Sequence, residues 1–100
     1  MSDGLEVRLW ETARSRADRL GFGFEPGCED LLRRSIAIGV DRMKRDGVDQ
    51  KEEKIQEAAS NTERVVERMA AEARKKGYMT LHEDTHAAAF KGLCPIWPFC

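Results

Sequence analysis

Two histidines four positions apart, with a glutamate directly after the first, form the strongest chemical pattern in this chain. His82 and His86 are the only histidines in the sequence, and with Glu83 they make an HExxH run. In a helix, residues four apart leave the same face about one turn from each other, as two ligands of one metal ion need. Cys94 and Cys100 follow and would supply thiolate ligands. The pattern therefore predicts a zinc or iron site with His82, His86, Cys94 and Cys100 as ligands.

The HExxH run has three interpretations that the sequence leaves open. In a zinc-dependent hydrolase, Glu83 would be the catalytic general base on a metal-bound water, although Asp84 occupies a position that is usually apolar in such motifs. In a closed structural site, two imidazoles with two thiolates, or with one of these and Cys28, would complete a tetrahedron. In the third interpretation, Thr80 and Glu83 form a capping box, and both histidines face water without a metal.

The C-terminal residues are unusually apolar for a chain in which 35% of the residues are charged. Ile96, Trp97 and Phe99 lie where chains ordinarily fray. We expect these side chains either to pack back over the helices and close the core, or to insert into a protein partner or a second copy of the chain. Cys94 and Cys100 flank them, so a disulfide between the two would close a small loop and make the segment redox-switchable.

Length, charge and hydropathy limit the functional classes. One hundred residues form a single domain, residues 1–100, with room for one function. The 17 basic and 18 acidic residues are mixed along the chain, so no electrostatic footprint for nucleic acid is expected. No stretch approaches the roughly 20 apolar residues of a membrane span, and no secretory signal pattern is present. The odd number of cysteines favours a reducing, cytoplasmic location, and no membrane partner is expected.

Helical periodicity places these residues on an all-α, four-helix domain with an extended, proline- and aromatic-rich C-terminal tail. Side-chain acceptors three residues ahead of a glutamate recur as helix-start signals, and Gly47 and Gly77 follow helical stretches as C-terminal caps. No alternating strand pattern is present, so a sheet is not expected. The predicted helices cover residues 4–20, 27–45, 50–76 and 81–91, and the tail covers residues 93–100.

Residues 55–69 can also be laid on a helix-turn-helix, with a turn at Ser60 and Asn61. The recognition helix would then present Glu63 and Glu67, whose carboxylates repel phosphate. Nucleic-acid binding is therefore the less favoured interpretation.

The last third of the chain resembles a known helical domain. The residues that carry the pattern are Ala73 to Gly77, Thr80, Glu83 and Ala87 to Ala89. They are similar to the small C-terminal helical domain of the light-independent protochlorophyllide reductase B-type subunit, a domain that also occurs as short free-standing proteins. A long helix followed by a threonine-capped short helix also resembles the second half of a histone fold. Both resemblances imply a small helical module that docks onto other macromolecules, and neither assigns catalytic residues.

Together these patterns predict a helical binding or accessory module without its own catalysis, which acts through a protein partner or forms a homodimer through the long third helix. The module is further predicted to bind a metal ion through His82 and His86, with Cys94 or Cys100 completing the site. A zinc hydrolase with Glu83 as base is the alternative. A redox-switchable or DNA-binding helical protein is the third.

Overall fold

Four helices and a very short parallel sheet make up the described part of the chain. The computed structural model describes residues 4–91 and 97–99. The elements, in chain order, are helix α1 (Gly4–Leu20), strand β1 (Gly23–Phe24), helix α2 (Pro26–Arg45), helix α3 (Glu52–Lys76), strand β2 (Thr80–Leu81) and helix α4 (Glu83–Phe90). The predicted all-α class with four helices is confirmed. No helix in the described ranges is both long and apolar enough to cross a bilayer.

Helices α1 and α3 pack along each other. The buried residues Leu9, Ala13 and Ala17 of α1 are spaced four apart and so fall on one face of the helix. Gly21 ends the helix with a φ of 83°, and the N–H of Phe22 donates back to Ala17 O at 2.9 Å. Because the distance between helix axes depends on the side chains at the contact, the two alanines allow a close approach of α3.

Helix α3 runs without a break through Ser60 and Asn61. The helix-turn-helix prediction for residues 55–69 is therefore wrong, because Asn61 and Thr62 face the core instead of forming a turn. Thr62 Oγ1 donates to Ala58 O at 2.8 Å, which satisfies its buried hydroxyl. The buried residues of the helix recur every three or four positions, at Ile55, Ala58, Asn61, Thr62, Val65, Val66, Met69, Ala70 and Ala73.

Helix α2 packs against α1 and α4. Its apolar residues Leu32, Ile36, Val40 and Met43 are buried, as their spacing predicts. Pro26 begins the helix, where its fixed φ suits the first turn and its missing N–H costs no hydrogen bond. Helix α4 lies against both α2 and α3, so these three helices meet at one side of the molecule.

The two connections at one end of the bundle pair as parallel strands, although no sheet was expected from the sequence. Gly23 pairs with Thr80 and Phe24 with Leu81, and the N–H of Glu25 donates to Leu81 O at 2.9 Å. Each strand has two residues, too few for an alternating pattern to be visible. Because the strands are parallel, the helices that follow them, α2 and α4, begin side by side.

Candidate functional site

The HExxH run straddles the start of α4 instead of lying within it. His82 precedes the helix with a φ of −103° and a ψ of 169°, and Glu83 is the first helical residue. Thr80, predicted to cap this helix, belongs to β2 and donates its hydroxyl hydrogen to Glu25 Oε1 at 2.8 Å. The helix therefore begins two residues later than predicted, because pairing with β1 keeps this segment extended.

His82 is held by residues on its own side of the junction. Its ring lies against Tyr78, with ring centroids 4.0 Å apart, and its Nε2 lies 3.2 Å from Thr80 Oγ1. Because the Thr80 hydroxyl hydrogen goes to Glu25, the hydrogen in this second contact belongs to His82 Nε2, which donates it. A metal ion at Nε2 would have to replace this hydrogen bond.

His86 instead faces α2. Its Nε2 lies 3.1 Å from Ser35 Oγ, and its ring lies against Phe90 with centroids 4.6 Å apart. Burial lowers the pKa of His86, so the neutral imidazole prevails at pH 7. The neutral form is the one that binds metals, but its Nε2 is already engaged with the serine hydroxyl. The two imidazoles thus contact hydroxyl groups on different elements.

The two acidic residues of the run lie against neighbouring parts of the chain. The Glu83 carboxyl group fills the space that a side chain at Gly27 would occupy, which places it at the first turn of α2. Negative charge is favourable there because a helix N-terminus carries partial positive charge. Asp84 accepts hydrogen bonds from Lys76 Nζ at 2.6 Å and Tyr78 OH at 2.9 Å, and both lower the pKa of Asp84. The structure places Glu83, the predicted general base, beside Gly27, and its catalytic role stays a prediction.

Within the part of the chain that the structure describes, no three His, Cys, Asp or Glu side chains are placed to hold one metal ion. His82 shares an open cleft of about 530 Å³ with three carboxylates. Cys28 is buried, and desolvation raises the pKa of its thiol to about 11, so it stays protonated at pH 7. Cys94 and Cys100 lie outside the described residues. The zinc or iron site at His82, His86, Cys94 and Cys100 therefore stays a prediction, which metal analysis of untagged protein would test.

Trp97 lies in a groove between α2, α3 and α4, which we call the tail groove. It is formed by Ser35, Gly39 and Arg42 of α2, Asn61 of α3 and Phe90 of α4. Trp97 is 7% exposed, and its Nε1 donates to Ser35 O at 3.0 Å. The indole meets Phe90 edge-on at 5.4 Å. A Cβ at Gly39 would lie 2.9 Å from Trp97 Nε1, so the groove needs glycine there.

Side chains of α2 and α3 hydrogen-bond the main chain of the tail. Arg42 Nη1 donates to Trp97 O at 3.0 Å, and Asn61 Nδ2 donates to Pro98 O. Asn61 is 6% exposed, and a buried amide without a partner is costly. The two donors thus fix the position of two consecutive carbonyl groups.

Two of the three predicted interaction residues are described. Trp97 is buried and Phe99 is half-buried, and Lys54 Nζ lies 5.2 Å from the centroid of the Phe99 ring. Ile96 lies outside the described residues. At residues 97–99 the tail packs against its own chain, which is the first of the two outcomes that the sequence left open. Insertion into a partner or a second copy stays a prediction.

Sequence reasoning did not identify the residues that form the tail groove. Gly39 interrupts the apolar stripe of α2, and Asn61 stands on the buried face of α3. A missing side chain and a buried amide at core positions of regular helices are signals that another segment packs there. Ser35 and Arg42 carried no such signal, since both residue types are common on exposed helix faces.

A comparison of the chain with protein-family models, curated proteins and solved structures finds no match in any of the three. The resemblance to the protochlorophyllide reductase domain and to the histone fold therefore stays a prediction.

Proposed function

We propose that this chain is a small helical binding module whose tail groove recognises a short segment of the type Trp–Pro–aromatic, in the turn conformation that residues 97 and 98 adopt. The observation that supports the proposal most is the pair of hydrogen bonds from Arg42 and Asn61 to the carbonyls of Trp97 and Pro98. In the structure the chain's own tail occupies the groove.

Two kinds of contact hold the tail in the groove: hydrogen bonds to its main chain position it, and contacts with the indole select its sequence. Every peptide segment has main-chain carbonyl groups, so the donors Arg42 and Asn61 fix the position of the bound chain without selecting its side chains. The indole of Trp97 lies over Gly39 and donates to Ser35 O, which a smaller side chain could not do. Tryptophan is also among the residues that most often dominate binding energy. The groove is therefore suited to a ligand with tryptophan at this one position.

A peptide titration tests the proposed function. The ligand is a synthetic peptide with the sequence of residues 93–99 and serine in place of Cys94. We expect saturable one-to-one binding to the full-length Trp97→Ala variant, whose groove is intact and whose own tail lacks the indole. Binding to the unmodified chain should be at least about tenfold weaker, because the tethered tail competes at an effective concentration in the millimolar range.

Two controls define the result. The same peptide with alanine for tryptophan should not bind. The double variant Gly39→Val/Trp97→Ala should not bind the original peptide, since the valine side chain would occupy the place of the indole. Equal binding to the single and double variants, or no binding to a folded Trp97→Ala protein, would show that the groove does not recognise this segment.

A further inference from the structure

We propose that residues 97–99 of one molecule can occupy the tail groove of a second copy, so that two molecules associate by exchanging tails. This inference rests on the proposed function and names the partner as the same chain. The exchanged segment would make in the second molecule the contacts that it makes in its own.

The contacts of the tail do not depend on local chain geometry. The indole hydrogen bond to Ser35 joins residues 62 positions apart, the Arg42 bond to Trp97 joins residues 55 apart, and the Asn61 bond to Pro98 joins residues 37 apart. Because each contact is made between distant parts of the chain, the same donor and acceptor can come from two molecules with the geometry of the contact itself unchanged. Exchange of an identical element is a low-cost route to a dimer for this reason.

The groove fits this segment in three separate respects. The absence of a side chain at Gly39 matches the indole, the buried amide of Asn61 matches the Pro98 carbonyl, and Lys54 lies near the ring of Phe99. A different protein would need the same sequence of groups, whereas a second copy has them by definition. Each molecule also contributes one groove and one tail, so reciprocal exchange closes as a symmetric pair with no groove left over.

Competition within each molecule sets the conditions for exchange. The tethered tail is favoured by its high effective concentration, so exchange in the unmodified protein increases with protein concentration. Variants that disable the internal contact remove this competition and reveal the association between molecules directly.

A complementation experiment uses two full-length variants. Trp97→Ala has an intact groove and a defective tail, and Gly39→Val has an intact tail and a groove blocked by the new side chain. We expect each variant alone to sediment as a monomer and an equimolar mixture to contain a one-to-one heterodimer. The double variant Gly39→Val/Trp97→Ala has neither an intact tail nor an open groove. It should therefore pair neither with itself nor with Trp97→Ala.

The outcomes separate the two proposals. If the mixture stays monomeric while Trp97→Ala binds the free peptide, tail exchange is wrong and the proposed function stands. If Trp97→Ala binds neither the peptide nor Gly39→Val, both are wrong. Should Trp97→Ala lose its helical circular dichroism, the milder pair Phe99→Ala and Asn61→Ala replaces the first pair, with the same heterodimer expected and a monomeric mixture again contradicting exchange.

Discussion

At the residue scale, Trp97 connects the tail to the helices through its ring, its indole N–H and its carbonyl oxygen. We predict that Trp97→Ala lowers the free energy of unfolding by about 3–5 kcal/mol, because it leaves a cavity and removes the indole hydrogen bond to the Ser35 carbonyl. Urea unfolding followed by circular dichroism measures this. Met79→Ala is the control, since Met79 is 86% exposed and its loss should change stability by less than about 0.5 kcal/mol. Equal effects of the two substitutions would contradict the described position of Trp97.

His86 gives the fold a specific pH dependence. Burial lowers the pKa of His86 below its ordinary value of 6.5, so the unfolded chain takes up a proton at this position before the folded one does. The contribution of neutral His86 to the free energy of unfolding is therefore complete above pH 6.5. It is lost as the pH falls through 6.5 to the lower pKa of the folded state. We predict that the urea concentration at the unfolding midpoint decreases as the pH is lowered from 7 to 5. The substitution His86→Gln should make this decrease smaller.

Other titrating groups provide the control for the His86 prediction. The pKa of Asp84 is lowered from 3.8 by Lys76 and Tyr78, so its contribution is lost only at more acidic pH. An Asp84→Asn variant should therefore keep the fall between pH 7 and pH 5. If His86→Gln keeps that fall unchanged, the half-buried imidazole of His86 does not cause it.

At the element scale, α3 carries both the bundle contacts and one wall of the tail groove. Ser60 and Asn61 are adjacent in this helix, but the first is exposed and the second is buried. We predict that Asn61→Ala lowers the free energy of unfolding by about 1–2 kcal/mol, because the Pro98 carbonyl loses its donor. Ser60→Ala should raise it slightly, by up to about 0.5 kcal/mol, because alanine favours helix.

The same pair of variants distinguishes a continuous helix from a turn. If residues 60 and 61 formed a turn, alanine at either position would lower stability. Thermal unfolding of the two variants, measured side by side, therefore tests both the helix and the groove. An Asn61→Ala protein as stable as the unmodified chain would contradict the role of Asn61 at Pro98.

How far the sequence predicts each element depends on whether its signals are local. Gly21 and Gly77 end α1 and α3 with positive φ, and both ends lie where the pattern places them, since a helix cap depends on neighbouring residues. Thr80 was assigned to the wrong element because its partner Gly23 is distant in sequence. The groove residue Asn61 was missed for the same reason, since its contact with Pro98 spans 37 positions.

At the scale of the whole molecule, apolar packing and the tail outweigh the ion pairs at the surface. Arg8 pairs with Glu52 and Arg16 with Glu63 across α1 and α3, but these side chains are partly or largely exposed. Exposed pairs contribute at most about 1 kcal/mol each. The tail instead contacts α2, α3 and α4, so its docking adds to the packing that these three helices already have among themselves.

The most direct test of the tail groove is a nuclear Overhauser measurement on the ¹⁵N-labelled chain. Because the Trp97 Nε1 lies 2.9 Å from the position of a Cβ on Gly39, its indole proton should show a strong cross-peak to a Gly39 α-proton. Its exchange with water should also be slow, and faster in Gly39→Val. An indole proton that exchanges freely and has no cross-peak to α2 would contradict the groove as the binding site of the tail.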